Sequence, residues 1–180
     1  LPSRRKGKSR RTDSPLFPPV GTSHYYHCRC CSFCLATHAL MKAKYDIHRQ
    51  LQDTKSWGVF NHELVNPNHP LVKGIKDGFQ GPHSHYYDLS INEIEQTNLQ
   101  ILALNQDAGF FLASTPESDL VLFQGHPEYD DKSLMKEYER EIKNFLSGSR
   151  SDYPNPPKNY FSAEIESKLE QVKAETLKTR

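Results

Sequence analysis

The sequence predicts an α/β fold, an expectation carried by its mix of elements and bounded by its length, composition and hydropathy. Strand-like runs rich in β-branched and aromatic residues alternate with runs of helical periodicity. The 180 residues suffice for one domain with a real core, and 36% hydrophobic with 25% charged residues suits a soluble chain. No apolar run approaches the roughly 18–20 residues that a membrane-spanning helix needs.

Residues 1–33 read as a leader. "LPSRRKGKSRR" holds six of the 23 Lys and Arg and no acid, leaving 17 bases against 22 acids in the remainder. It has no apolar stretch behind its charges, so it is not a secretory signal, and a cytoplasmic protein is expected. A basic arm can touch nucleic acid, but a solvated tail is the plainer expectation, and no nucleic-acid partner is predicted. "SPLFPPVGTS" lacks periodicity and is expected to be disordered, and "HYYHCRCCSF" shows no clean alternation.

The elements follow in order. "CLATHALMKAKYDIHRQL" reads as helical, with Leu35, Ala39, Leu40 and Met41 as an apolar side. "WGVFNHELV" (57–65) reads as a strand, and the glycines and prolines of "LVKGIKDGFQGPHSHYYDLS" predict a loop-dominated segment. Three strands are expected at 99–105, 109–115 and 119–126, with "QDA" and "PESD" as turns. After "HPEYD", Leu134, Tyr138, Ile142 and Phe145 recur at helical spacing. Asp130 or Asp131 is placed to cap that helix and Gly148 to end it. "SRSDYPNPPKN" is a loop, and residues 162–180 read as a polar helix or tail.

Four cysteines, Cys28, Cys30, Cys31 and Cys34, lie within seven residues. Structural zinc sites bring ligand pairs from separate segments, and only one dense cluster is present, so no metal is predicted. His83 and His85 form an H-x-H pair, which alone is a weak metal signal. Cysteines this close would staple almost nothing as disulfides.

A thiol nucleophile needs a base to take its proton and an acid to orient that base. Cys34 precedes a helical run, where a helix N-terminus stabilises a thiolate. His126 is a candidate base and Glu128 its orienting acid. Their i, i+2 spacing puts both on one face of an extended strand end, and Pro127 fixes the backbone between them. The plain alternative is a polar turn.

"KSWGVFNHELVNPNHPLVKGIKDGFQGPHSHY" and "VLFQGHPEYDDKSLMKEYERE" resemble the homoserine O-acyltransferases of methionine biosynthesis, the O-succinyl- and O-acetyltransferases. In that family "GVFEH…PL..GF.D.F..PHSRY" and "GHPEYD" are characteristic, and "PKNYF" is similar to its closing "P.NYF". The resemblance runs from about Cys34 to about Phe161, so residues 34–161 are expected to form the acyltransferase-like domain. It implies a class I glutamine amidotransferase-like (flavodoxin-like) fold: a mostly parallel sheet, helices on both faces, and a cysteine on a sharp strand-to-helix turn. The chain then reads as N-terminally truncated, because the family carries a long region upstream of its cysteine.

The resemblance implies roles. "CLATHA" matches the family's "CWGAQA", which makes Cys34 the acyl-thioester cysteine, with His126 as base and Glu128 as its partner. Lys55, Ser84 and Arg140 match substrate-site residues, Arg140 being suited to grip a carboxylate. Leu35 and Ala36 depart from the family's Trp and Gly. The implied reaction moves an acetyl or succinyl group from acyl-CoA to the hydroxyl of L-homoserine through an acyl-cysteine, the first committed step of methionine biosynthesis. No bound cofactor is expected, acetyl-CoA or succinyl-CoA being a co-substrate, and a homodimer is possible. Two other readings stay open: an inactive remnant of that enzyme, and a relative that acylates serine or hydrolyses glutamine.

Overall fold

The computed structural model describes residues 30–179. The basic and proline-rich stretches expected to be disordered, and Cys28, lie outside them. Six strands form one sheet in the order β1-β6-β5-β4-β2-β3. They are β1 (Cys30–Phe33), β2 (Gln50–Leu64), β3 (Phe79–Asp88), β4 (Gln100–Asn105), β5 (Gly109–Ser114) and β6 (Leu120–Phe123). The helices are α1 (Leu35–Tyr45), α2 (Ile91–Glu95), α3 (Ser133–Leu146) and α4 (Ala163–Lys178).

Among the described residues only β1 and β6 pair in parallel, and the other neighbours are antiparallel. The α/β class therefore holds, while the mostly parallel sheet gives way to a mixed one in this part of the chain. Tight connections at 106–108 and 115–119 explain this, since short turns join antiparallel strands only.

The central strands are buried on both faces, as a continuous apolar run predicts. On one side Leu120, Leu122, Ile101 and Phe110 pack with Met41 of α1 and Ile94 of α2. On the other, Val121, Leu102 and Phe111 pack with Val72, Leu71 and Ile75 of the turn-rich segment between β2 and β3. Burying a large apolar side chain such as Phe110 or Met41 contributes about 1.5–3 kcal/mol, so these two layers hold the sheet.

Three expectations change. Residues 79–88 are not loop but β3, an edge strand, where proline is tolerated. There Gly81 leaves room for the Phe111 ring; a Cβ would lie 2.5 Å from it. The strand expected over 57–65 begins at Gln50, and only Glu63 and Leu64 of β2 pair with β4. The rest of β2 runs with β3 as a two-stranded ribbon. The sheet also starts within the expected leader, because Cys30–Phe33 pair with β6.

In α1 the buried residues are Thr37, His38 and Met41, while Leu35 is 63% exposed, so the apolar side expected from composition is rotated. Leu134, Tyr138 and Phe145 bury the inner face of α3 as their spacing predicts. Asp130 Oδ1 accepts from the Lys132 backbone N–H at 3.0 Å and the Ser133 hydroxyl at 2.6 Å, ordering the entry to that helix. Past its end, the Gly148 N–H donates to the Phe145 carbonyl at 3.1 Å. α4 has no fully buried residue, and Leu169 packs beside Trp57. No helix among the described residues is long and apolar enough to cross a membrane.

Candidate active site

Cys34 forms the joint between β1 and α1 with no residue to spare. Its backbone has φ 40° and ψ −106°, a region that L-residues rarely adopt. The joint is tied to β6: the Cys34 N–H donates to the Phe123 carbonyl at 2.7 Å, and the Thr37 hydroxyl donates to the same oxygen at 2.8 Å. The Phe33 and Phe123 rings stack at 5.1 Å beside it. One carbonyl thus fixes both sides of a sharp turn that lifts the thiol to the start of a helix.

Past the end of β6 the chain is turning, not extended. β6 stops at Phe123, and His126 and Glu128 lie in a turn closed by the Tyr129 N–H donating to the His126 carbonyl at 3.1 Å. The two side chains still meet, with Nδ1 of His126 at 2.7 Å from Oε1 of Glu128. A turn, not a shared strand face, brings them together. The His126 N–H donates to the Pro82 carbonyl at 2.9 Å, joining the turn to β3.

Burial works against a charged imidazole here, but the neighbouring Cys34 thiol and Glu128 outweigh it and hold His126 above its ordinary value. Nε2 of His126 is buried. With Nδ1 committed to Glu128, Nε2 is the nitrogen available for proton exchange. Cys34 acts on His126 first as a side-chain hydrogen-bonding partner and then through charge.

Cys34 and His126 line a cavity of about 730 Å³ together with Lys55, Ser84, Glu137 and Arg140. The ribbon's register supplies two of these. Lys55 and Trp57 share a face of β2, and Ser84 lies opposite Trp57 on β3, so all three point to α3. There Glu137 Oε2 accepts from Ser84 Oγ at 2.6 Å and from Lys55 Nζ at 3.1 Å, and Oε1 accepts from the Tyr129 hydroxyl. Burial opposes the Glu137 carboxylate, yet Ser84, Tyr129 and Lys55 together hold it below its ordinary range, so it is ionised. Burial lowers Lys55 despite Glu137.

Glu137 was not among the residues that the sequence singled out. Arg140 borders the cavity but is 63% exposed, with Nε 3.4 Å from Glu141. Arg150, also unanticipated, is better held, donating to Glu141 at 3.2 Å and to Asp152 at 2.6 Å.

His83 and His85 point to the opposite face of β3 from Ser84. Among the described residues no group of His, Cys, Asp or Glu is arranged to hold a metal. They belong instead to a buried chain: His62 Nε2 to His83 Nε2 at 2.9 Å, and His83 Nδ1 to His85 Nε2 at 2.9 Å. A neutral imidazole donates from one nitrogen and accepts on the other, so the two links between the rings form without charge, while His62 Nδ1 and His85 Nδ1 are buried with no partner among the described residues. Burial accordingly lowers His62 and His85 to about 4.

A family model for homoserine O-succinyltransferase matches residues 22–176. The homoserine O-succinyltransferase of Nitrosococcus oceani is 43% identical over 148 residues, covering 82% of this chain and 41% of that protein. That of Methylobacter tundripaludum is 48% identical over 130 residues, covering 72% and 37% respectively. The chain thus spans about two fifths of the length of these curated relatives. Among solved structures, a glutamine amidotransferase from Thermotoga maritima is similar with a TM-score of 0.51 at 12% identity. That likeness covers 66% of this chain and 49% of that one, and it speaks to the fold alone.

Proposed function

The chain belongs to the homoserine O-succinyltransferase family, and from that premise we propose that its cavity carries acyl transfer from acyl-CoA to the hydroxyl of L-homoserine. The observation that carries the reading is one cavity bordered by a thiol at a helix start, an imidazole oriented by a carboxylate, and an ionised Glu137. A thiol and an oriented imidazole make an acyl-accepting pair, and the remaining groups suit an amino acid.

His126 takes the Cys34 proton as the sulfur attacks the thioester carbonyl. The tetrahedral adduct collapses, the C–S bond to CoA breaks, and His126 returns the proton to the departing thiol. The free backbone N–H groups at the start of α1 are placed for the oxyanion. In the second half His126 takes the homoserine hydroxyl proton, the oxygen attacks the acyl-cysteine, and Cys34 leaves with that proton. Lys55 and Ser84 border the amino-acid position. Glu137 has used three of its roughly four acceptor sites and keeps one for the α-ammonium group, while Arg140 suits the carboxylate.

The relatives' names specify succinyl, which favours succinyl-CoA as donor. Incubation with succinyl-CoA or acetyl-CoA tests both the reaction and the group. An acyl mass on the peptide containing Cys34, absent in Cys34→Ser and discharged by homoserine rather than serine, is the expected result. Labelling at Cys30 or Cys31 with Cys34 unmodified overturns the assignment.

A further inference from the structure

Behind the Cys34 joint lies a second cavity, of about 450 Å³, which the chemistry above leaves unused. It is lined by Leu35, His38, Lys42, His48, Arg49 and Tyr87, and no carboxylate borders it among the described residues. Consecutive residues divide between the two cavities: Cys34 and Tyr86 face the reaction cavity, Leu35 and Tyr87 this one. The two therefore adjoin at the nucleophile.

Its charge is positive and partly uncommitted. The Arg49 guanidinium lies over the Tyr87 ring at 4.2 Å and has no ion-pair partner among the described residues. A guanidinium stacked on a ring keeps its N–H edge for a planar or tetrahedral oxyanion. Lys42 contacts both Asp46 and His48, and Asp46 is largely exposed and outside the cavity. His38 supplies a second kind of observation. It is 4% exposed, it borders this cavity, and Gln124 is its side-chain hydrogen-bonding partner, so the cavity is polar as well as basic at its floor.

We propose that this basic cavity holds the phosphate-bearing nucleotide end of the acyl-CoA donor, with Arg49 and Lys42 as the anion-binding groups. The assignment rests on the reading of a CoA thioester donor given above. In such a donor the thioester and the phosphates lie at opposite ends, which suits two cavities adjoining at Cys34. Lys42, eight residues along from Cys34, is about 12 Å from it along the helix axis, as a rise of 1.5 Å per residue requires. The exposed Leu35 side chain borders this cavity, next to Cys34 in the chain, and offers an apolar support for the linking arm.

The test needs no acyl transfer. Adenosine 3′,5′-bisphosphate is titrated calorimetrically into the full chain at low and high salt. Saturable binding, weakened by salt and about tenfold or more weaker in Arg49→Gln, is expected for a charge-assisted phosphate contact. Lys42→Gln, on the exposed side of α1, gives an independent measure should Arg49→Gln fail to fold, with about threefold or more lost affinity expected. No saturable binding by the wild type, or unchanged affinity in a folded variant, overturns the proposal. Acylation of Cys34 by succinyl-N-acetylcysteamine, a thioester without phosphates, tests the underlying reading by itself, so the two can fail separately.

Discussion

Ser84 and Glu137, 53 residues apart in the chain, are joined by a 2.6 Å hydrogen bond that locks the β2–β3 ribbon onto α3. The same carboxylate holds Lys55, 82 residues away, and Tyr129. Glu137→Gln keeps the size and removes the charge. It is expected to raise the homoserine KM about tenfold or more, as loss of a charge-assisted contact does. Acylation of Cys34 by the thioester donor should persist. If both half-reactions fall equally in a folded variant, Glu137 is not an amino-acid contact.

For the base and its partner, His126→Ala is expected to remove nearly all turnover, and Glu128→Gln to cost roughly 10²-fold or more. The pH profile adds a sign. Cys34 and Glu128 hold His126 above its ordinary value, and the base works only when neutral, so kcat/KM rises as pH climbs through that raised value. Glu128→Gln removes one of the two holding groups. The acidic limb should therefore move to lower pH, and a limb that stays in place would assign it to another group.

Much of this was legible from residue patterns, and the exceptions have physical causes. The runs around Leu102, Phe111 and Val121 read as strands because both faces are buried. Leu134, Tyr138 and Phe145 marked α3 because one face of an amphipathic helix repeats every three to four residues. β3 was misread because Gly81 and Pro82 serve an edge strand and a close ring, not a turn. Glu137 escaped because "KEYERE" reads as a solvated face. Its partners come from Lys55 and Ser84, and no local pattern reports a contact across 82 or 53 residues. In α1 the buried Thr37 and His38 are polar, so counting apolar residues turned the helix the wrong way.

The buried histidine chain predicts an acid-labile fold. His62 and His85 have folded values near 4, below the ordinary 6.5. The unfolded state therefore binds more protons between those values. Stability is full above about pH 6.5, is lost as pH falls, and stops falling from this cause below about 4, with about 3 kcal/mol at stake for His62. Chemical unfolding at pH 7 and pH 5 should show the drop, and His62→Gln should flatten it. An unchanged slope in that variant would place the acid sensitivity elsewhere.

The last prediction concerns the wall of the reaction cavity. Gly58 of β2 has φ 143°, and a Cβ built on it would lie 2.2 Å from the Lys158 carbonyl oxygen and 2.6 Å from its nitrogen. That approach is what lets residues 157–159 lie against β2. The Val59 N–H donates to the Lys158 carbonyl at 2.9 Å, and the Lys158 N–H donates to the Trp57 carbonyl at 2.9 Å. Gly58→Ala must break this pairing or distort the strand, and about 3 kcal/mol or more of lost stability is expected. Gly78→Ala is the control, because its φ of 71° is also left-handed but nothing lies within 4 Å of the new Cβ. Backbone strain alone should cost about 1–2 kcal/mol there. Denaturant midpoints separate the two variants, and the fluorescence of Trp57, the chain's one tryptophan, reports whether the neighbouring wall has moved. Equal costs at the two positions would mean that Lys158 yields freely. The closing segment would then be a loose flap over the cavity rather than a fixed part of it.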